Sequence, residues 1–79
     1  MTLSDLSIGK MAIIDQISLG DHGQALICRL EAMGITPDKP IQVLHKALMG
    51  GPLHIRVGAT TEIAIRRQEA EKVLIHLEA

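Results

Sequence analysis

The chain contains no phenylalanine, tyrosine or tryptophan. That absence excludes two kinds of recognition surface. Proline-rich peptides are read in aromatic-lined grooves, and unpaired bases are stacked on aromatic rings. Neither platform can be built here. A basic surplus is missing too. Eight Lys+Arg stand against nine Asp+Glu, a formal net charge of −1 with histidine neutral, whereas nucleic-acid binders carry excess positive charge. The chain is therefore read as having no nucleic-acid partner. Cysteine is reduced to Cys28 alone, so no intrachain disulfide forms, and a reducing compartment fits. No stretch approaches the ~18 apolar residues of a membrane span, and residues 1–11 lack the apolar run of a secretory signal. The expectation is a cytoplasmic protein that is not itself a membrane protein. Catalytic signatures are also missing. Gly9-Lys10 is followed by Met11 rather than Ser or Thr, so there is no phosphate-binding loop, and no Gly-x-Ser-x-Gly elbow occurs. No catalytic residue is assigned, and the chain is read as a non-enzyme.

What is present is aliphatic. Apolar residues make up 47% of 79 residues, enough for one domain, residues 1–79, with a core filled by Ile, Leu, Val and Met. Thr2–Gly9 reads as a lead-in that can tuck Leu3, Leu6 and Ile8 against the body. Lys10–Leu19 reads as a strand ended by Gly20. Asp21 is placed as an N-cap, with Gln24 completing a capping box. Leu26, Leu30 and Met33 fall on one helical face, and Gly34 sits where a left-handed C′ residue belongs. The helix is placed at about 22–33, with Cys28 as core or half-buried filler. Ile41, Val43, His45 and Ala47 alternate with their neighbours as in a strand. After Gly50-Gly51-Pro52, Leu53, Ile55 and Val57 do the same, which reads as a hairpin. Ile63 and Ile65 form a further strand, Gln68–Lys72 a helical turn, and Val73, Ile75 and Leu77 a closing strand. The fold class is mainly β: a small five-stranded barrel with one α-helix after the first strand and a short helical turn before the last.

Several segments together resemble the FeoA family. Arg29-Leu30-Glu31-Ala32-Met33-Gly34-Ile35-Thr36-Pro37 is similar to its Arg-Leu…Gly-apolar-Thr-Pro stretch. Ile41–Leu44 is similar to its next strand, and Ala47–Ile55 to its apolar hairpin. Ile63-Ala64-Ile65-Arg66-Arg67 with Glu69-Ala70, and Leu6–Lys10, are similar to further family segments. The matches run in family order from about residue 6 to 70. Asp38 stands where the family usually has Gly after Thr-Pro, and Leu48 where it commonly has Pro. The resemblance implies an SH3-like barrel and a part in ferrous iron transport. The implied partner is a membrane-embedded Fe(II) transporter of the FeoB type, met through its cytosolic, GTPase-bearing region. Self-association stays open.

Three residue sets are candidates for function. The first is the hairpin tip Leu48-Met49-Gly50-Gly51-Pro52 with Met33 and Ile35, apolar where turns are normally polar. It either contacts a partner or folds back onto the barrel. The second is Arg29, Arg66 and Arg67, which either meet an acidic partner surface or are ordinary solvated charges. The third concerns metal. His22, His45, His54, His76 and Cys28 are the available ligands, and no cofactor is assigned. If the hairpin turns symmetrically about Met49 and Gly50, His45 falls opposite His54. The pair could then touch a divalent transition metal, though two ligands leave a site incomplete.

Overall fold

The alternation of aliphatic residues sets the strands where the patterns place them. The computed structural model describes residues 1–18 and 23–77. A 3-10 turn at Leu3–Asp5 precedes β1 (Met11–Ile17), α1 (Gly23–Ala32), β2 (Pro40–Lys46), β3 (Leu53–Val57), β4 (Thr61–Ile65), the one-turn α2 (Arg67–Ala70) and β5 (Val73–Leu77). The strands form one antiparallel sheet in the order β4-β3-β2-β1-β5. This is the small SH3-like barrel with one helix after the first strand and a helical turn before the last. The expected N-cap at Asp21, the strand end at Leu19-Gly20, and His22 lie outside the described residues.

Each strand turns aliphatic residues of one face inward, while Leu77 at the end of β5 is exposed. Leu53, Ile55 and Val57 are buried while His54 and Arg56 face out. Ala12 and Ile14 of β1, Ile41 and Val43 of β2, and Val73 and Ile75 of β5 join them, and no polar side chain is buried among the described residues. Strict alternation would carry His45 inward after Ile41 and Val43. A bulge between Val43 and His45 prevents this by shifting the register of β2 on β3, and His45 is exposed. The bulge spares the barrel an unpaired imidazole in its core, which would cost free energy.

Leu26 and Leu30 of α1 enter the core and Met33 packs half-buried against it. The end of the helix is a Schellman motif. The Gly34 N–H donates to Glu31 O at 2.9 Å and the Ile35 N–H to Leu30 O at 3.0 Å, with Gly34 at φ 95°. The motif brings the side chains of Ile35 and Leu30 together, and both are fully buried. Ile35 is therefore a core residue and is removed from the partner-contact set. Two further expectations change. Cys28 is exposed, because it lies about 200° round the helix from Leu26 at roughly 100° per residue. Ile8 is also exposed, although Leu3 and Leu6 are buried as expected. Asp38, in the position usually held by Gly, adopts φ 70°. Asp is among the few side chains that tolerate the left-handed region, so the turn into β2 survives.

The buried Leu3 is held by a local lock. The Thr2 N–H donates to Asp5 Oδ2 at 3.0 Å, and the lead-in continues the sheet through a bridge between Thr2 and Leu74. That backbone hydrogen bond holds the Asp5 carboxyl below its ordinary 3.8. A depressed folded-state pKa means the lock contributes fully above the unfolded value and is lost as pH falls through the folded one. Acid titration followed by NMR is expected to shift the Thr2 amide together with the Asp5 carboxyl, at a midpoint below 3.8. Asp5→Asn should abolish that titration. A Thr2 amide that responds only above pH 3.8 would contradict the lock.

Candidate functional site

Beyond the last paired residues of β2 and β3 the hairpin projects as a narrow turn. The Ala47 N–H donates to Pro52 O at 3.1 Å and the Gly51 N–H to Leu48 O at 3.2 Å. Met49 and Gly50 are the central residues, with φ 59° and 75°. Two positive φ values are what a type I′ turn requires, and Asn-Gly or Asp-Gly is the pair that suits it. Gly51 is demanded by close approach, since a Cβ there would lie 2.7 Å from Ala47 Cβ. Leu48 and Met49 do not fold back onto the barrel: their exposures are 89% and 102%. Met49 thus combines a left-handed backbone, costing about 1–2 kcal/mol for a residue with a Cβ, with an apolar side chain wholly in water. Strain of that kind gathers at functional positions.

The three arginines separate into two places. Arg67 is half-buried and supports the hairpin root, its Nη2 donating to Ala47 O at 3.4 Å. Its buried Nε has no hydrogen-bond partner among the described residues. Arg29 and Arg66, 37 positions apart in sequence, line one groove between α1 and α2 with Ala25, Leu26, Gln68 and Glu69. Arg29 forms an ion pair with Glu69. Glu69 also accepts the Arg66 backbone N–H at 3.1 Å, so a single carboxylate caps α2 and tethers α1. Arg29, Arg66 and Arg67 were candidates by residue type alone; that Arg29 and Arg66 share a groove, and the part played by Glu69, were not legible, because only the fold brings α1 beside α2.

His45 and His54 are direct cross-strand partners, as a turn symmetric about Met49 and Gly50 places them. His54 Nε2 lies 3.5 Å from Glu62 Oε1, and Glu62 Oε2 accepts from Arg56 Nη2 at 3.1 Å. Among the described residues no group of three or more His, Cys, Asp or Glu is placed to hold a metal ion. A structural zinc site takes four ligands and a catalytic one three; His45 and His54 supply two. His76 pairs with Asp15 across β1 and β5, away from this hairpin. No helix among the described residues is long and apolar enough to cross a membrane.

The strand order and the projecting turn define a small SH3-like barrel domain. The chain belongs to the FeoA domain family, whose model matches residues 1–77. Among solved structures it is similar to an iron uptake regulatory protein (FeoA), at 36% identity and a TM-score of 0.82, over 96% of this chain and 95% of that one. Stenotrophomonas maltophilia FeoA, complexed with zinc and proposed as a ferrous iron transport activating factor, is 29% identical. Its TM-score is 0.80, over 95% of this chain and 88% of that one. Chlorobium tepidum FeoA is 28% identical with a TM-score of 0.86, over 100% and 71%. A manganese-dependent transcriptional repressor shares the fold at 18% identity and a TM-score of 0.84, this chain covering 36% of its length. A search of curated protein sequences gives no significant match.

Proposed function

We propose that this chain is a cytoplasmic accessory protein of ferrous iron uptake that binds the cytosolic, GTPase-bearing region of the Fe(II) transporter through its hairpin tip. The observation that carries the reading is Met49, exposed, apolar and left-handed at a turn where Asn would be more stable. Leu48 stands beside it, Gly50-Gly51-Pro52 fix the direction of both, and half-buried Met33 is a secondary contact. Membership of the FeoA family supports the choice of partner. The family relative from Stenotrophomonas is proposed to activate transport, and activation is the sense proposed here. With this protein as bait on detergent-solubilised membranes of its native organism, the transporter is expected in the bound fraction. Its absence there, with the bait folded, would count against the reading.

A second reading, binding of a transition metal at His45 and His54, is favoured only by their pairing across the hairpin. Titration of the reduced protein with Zn2+ is expected to show no tight stoichiometric site, and His45→Ala should leave the isotherm unchanged. A one-to-one site lost in His45→Ala would revive the metal reading.

A further inference from the structure

We propose that the groove between α1 and α2 is a second recognition site, one that takes a carboxylate carried by an extended acidic peptide segment of a partner protein. The groove is an open cleft of about 590 Å3, within the size range of ligand-binding clefts. Its residues are different from those of the hairpin tip, so the inference stands apart from the function proposed above.

Its chemistry points to one kind of occupant. Arg66 is exposed, and among the described residues its guanidinium has no ion pair or side-chain hydrogen bond. Arg29 is tethered by Glu69 yet its side chain stays 53% exposed, while that of Glu69 is only 12% exposed. A guanidinium carries five N–H donors in a planar fork. One ion pair therefore leaves Arg29 donors free beside the whole fork of Arg66. A carboxylate is the group that such forks grip with two parallel hydrogen bonds. Glu69 decides between a carboxylate and a phosphate. Its charge lies in the groove, so two guanidiniums and one carboxylate leave a single net positive charge, which matches a monoanion and disfavours a dianion. The buried Leu26 and exposed Ala25 supply an aliphatic wall for a neighbouring apolar side chain. The occupant is thus a peptide with alternating apolar and acidic residues rather than a small inorganic anion.

The test uses the full chain, labelled with 15N, and a capped hexapeptide alternating leucine and glutamate. The amide signals of Ala25, Arg29, Arg66, Gln68 and Glu69 are expected to shift on titration. The same peptide with glutamine in place of glutamate should bind about tenfold more weakly, the change expected when a charge-assisted hydrogen bond is lost. Arg66→Gln should weaken the glutamate peptide to that level with an unchanged thermal midpoint. Arg66→Lys should not restore it, because an ammonium cannot present the fork. A variant with Leu48 and Met49 both changed to Ser should bind the peptide as the parent does, which separates this site from the hairpin. Equal binding of both peptides would overturn the proposal, and so would shifts confined to other faces. Displacement of the peptide by inorganic phosphate with the same signals shifting would assign the groove to phosphate instead. The comparison of the two peptides on the parent decides the matter even if an Arg66 variant fails to fold.

Discussion

Leu30→Ala is expected to lower stability by about 2–5 kcal/mol, the range for removing a buried Leu side chain and leaving a cavity. Leu30 is fully buried, packs in the core with Leu26, and accepts the Ile35 N–H that closes the helix. The substitution therefore loosens both the seat of α1 and the apolar contact that completes its C-terminal turn. A domain of this size has little reserve, since the total for small proteins is about 5–15 kcal/mol and short chains lie at the low end. The measurement is urea denaturation followed by far-UV circular dichroism, because the chain has no tryptophan or tyrosine to report by fluorescence. A loss below about 1 kcal/mol, well short of the cavity range, would mean that α1 does not seat in the barrel through this residue.

The fold was legible because an aliphatic core leaves a plain period. Leu53, Ile55 and Val57 alternate without interruption, and they form β3 with those three residues buried. Leu26, Leu30 and Met33 repeat at helical spacing, and the glycine after them closes the helix. Interruptions were harder to read. The pairing of His45 with His54 followed from a symmetric turn, but the bulge after Val43 leaves no mark in residue type, and it decides that His45 faces water while Val43 faces the core. Ile35 looks like a loop residue next to Gly34 and Pro37, and only the hydrogen bond to Leu30 shows that it folds back into the core. For the candidate site, the apolar tip was visible as Leu48-Met49 before two glycines. The conformation that makes Met49 costly was not, because φ at a turn depends on its length and register. The α1–α2 groove escaped the sequence because it depends on Glu69 serving two elements at once.

The largest effect on recognition is expected from changing Leu48 and Met49 together to Ser. Both side chains lie in water and touch no core, so stability should move by no more than about 0.5 kcal/mol, as for other exposed sites. Binding to the transporter's cytosolic region should weaken by about 3 kcal/mol, roughly a hundredfold in Kd, if the two side chains are buried at the contact. Met49→Asn separates the two properties further. Asn before Gly50 suits the turn, so the variant should gain about 1 kcal/mol of stability by relief of the left-handed strain. It should still bind more weakly, because the apolar anchor is gone. Opposite signs in one substitution are what a residue kept for recognition, at the expense of the fold, produces. If Met49→Asn binds as the parent does, Met49 is no anchor.

The central claim is best tested by isothermal titration of the purified cytosolic region of the native Fe(II) transporter into the parent and into the double Ser variant, after confirming that their thermal midpoints agree. Saturable binding to the parent and a roughly hundredfold weaker Kd for the variant, the change expected when two apolar anchors are lost, is the result predicted here. Equal binding by parent and variant would contradict it and move the contact away from the hairpin.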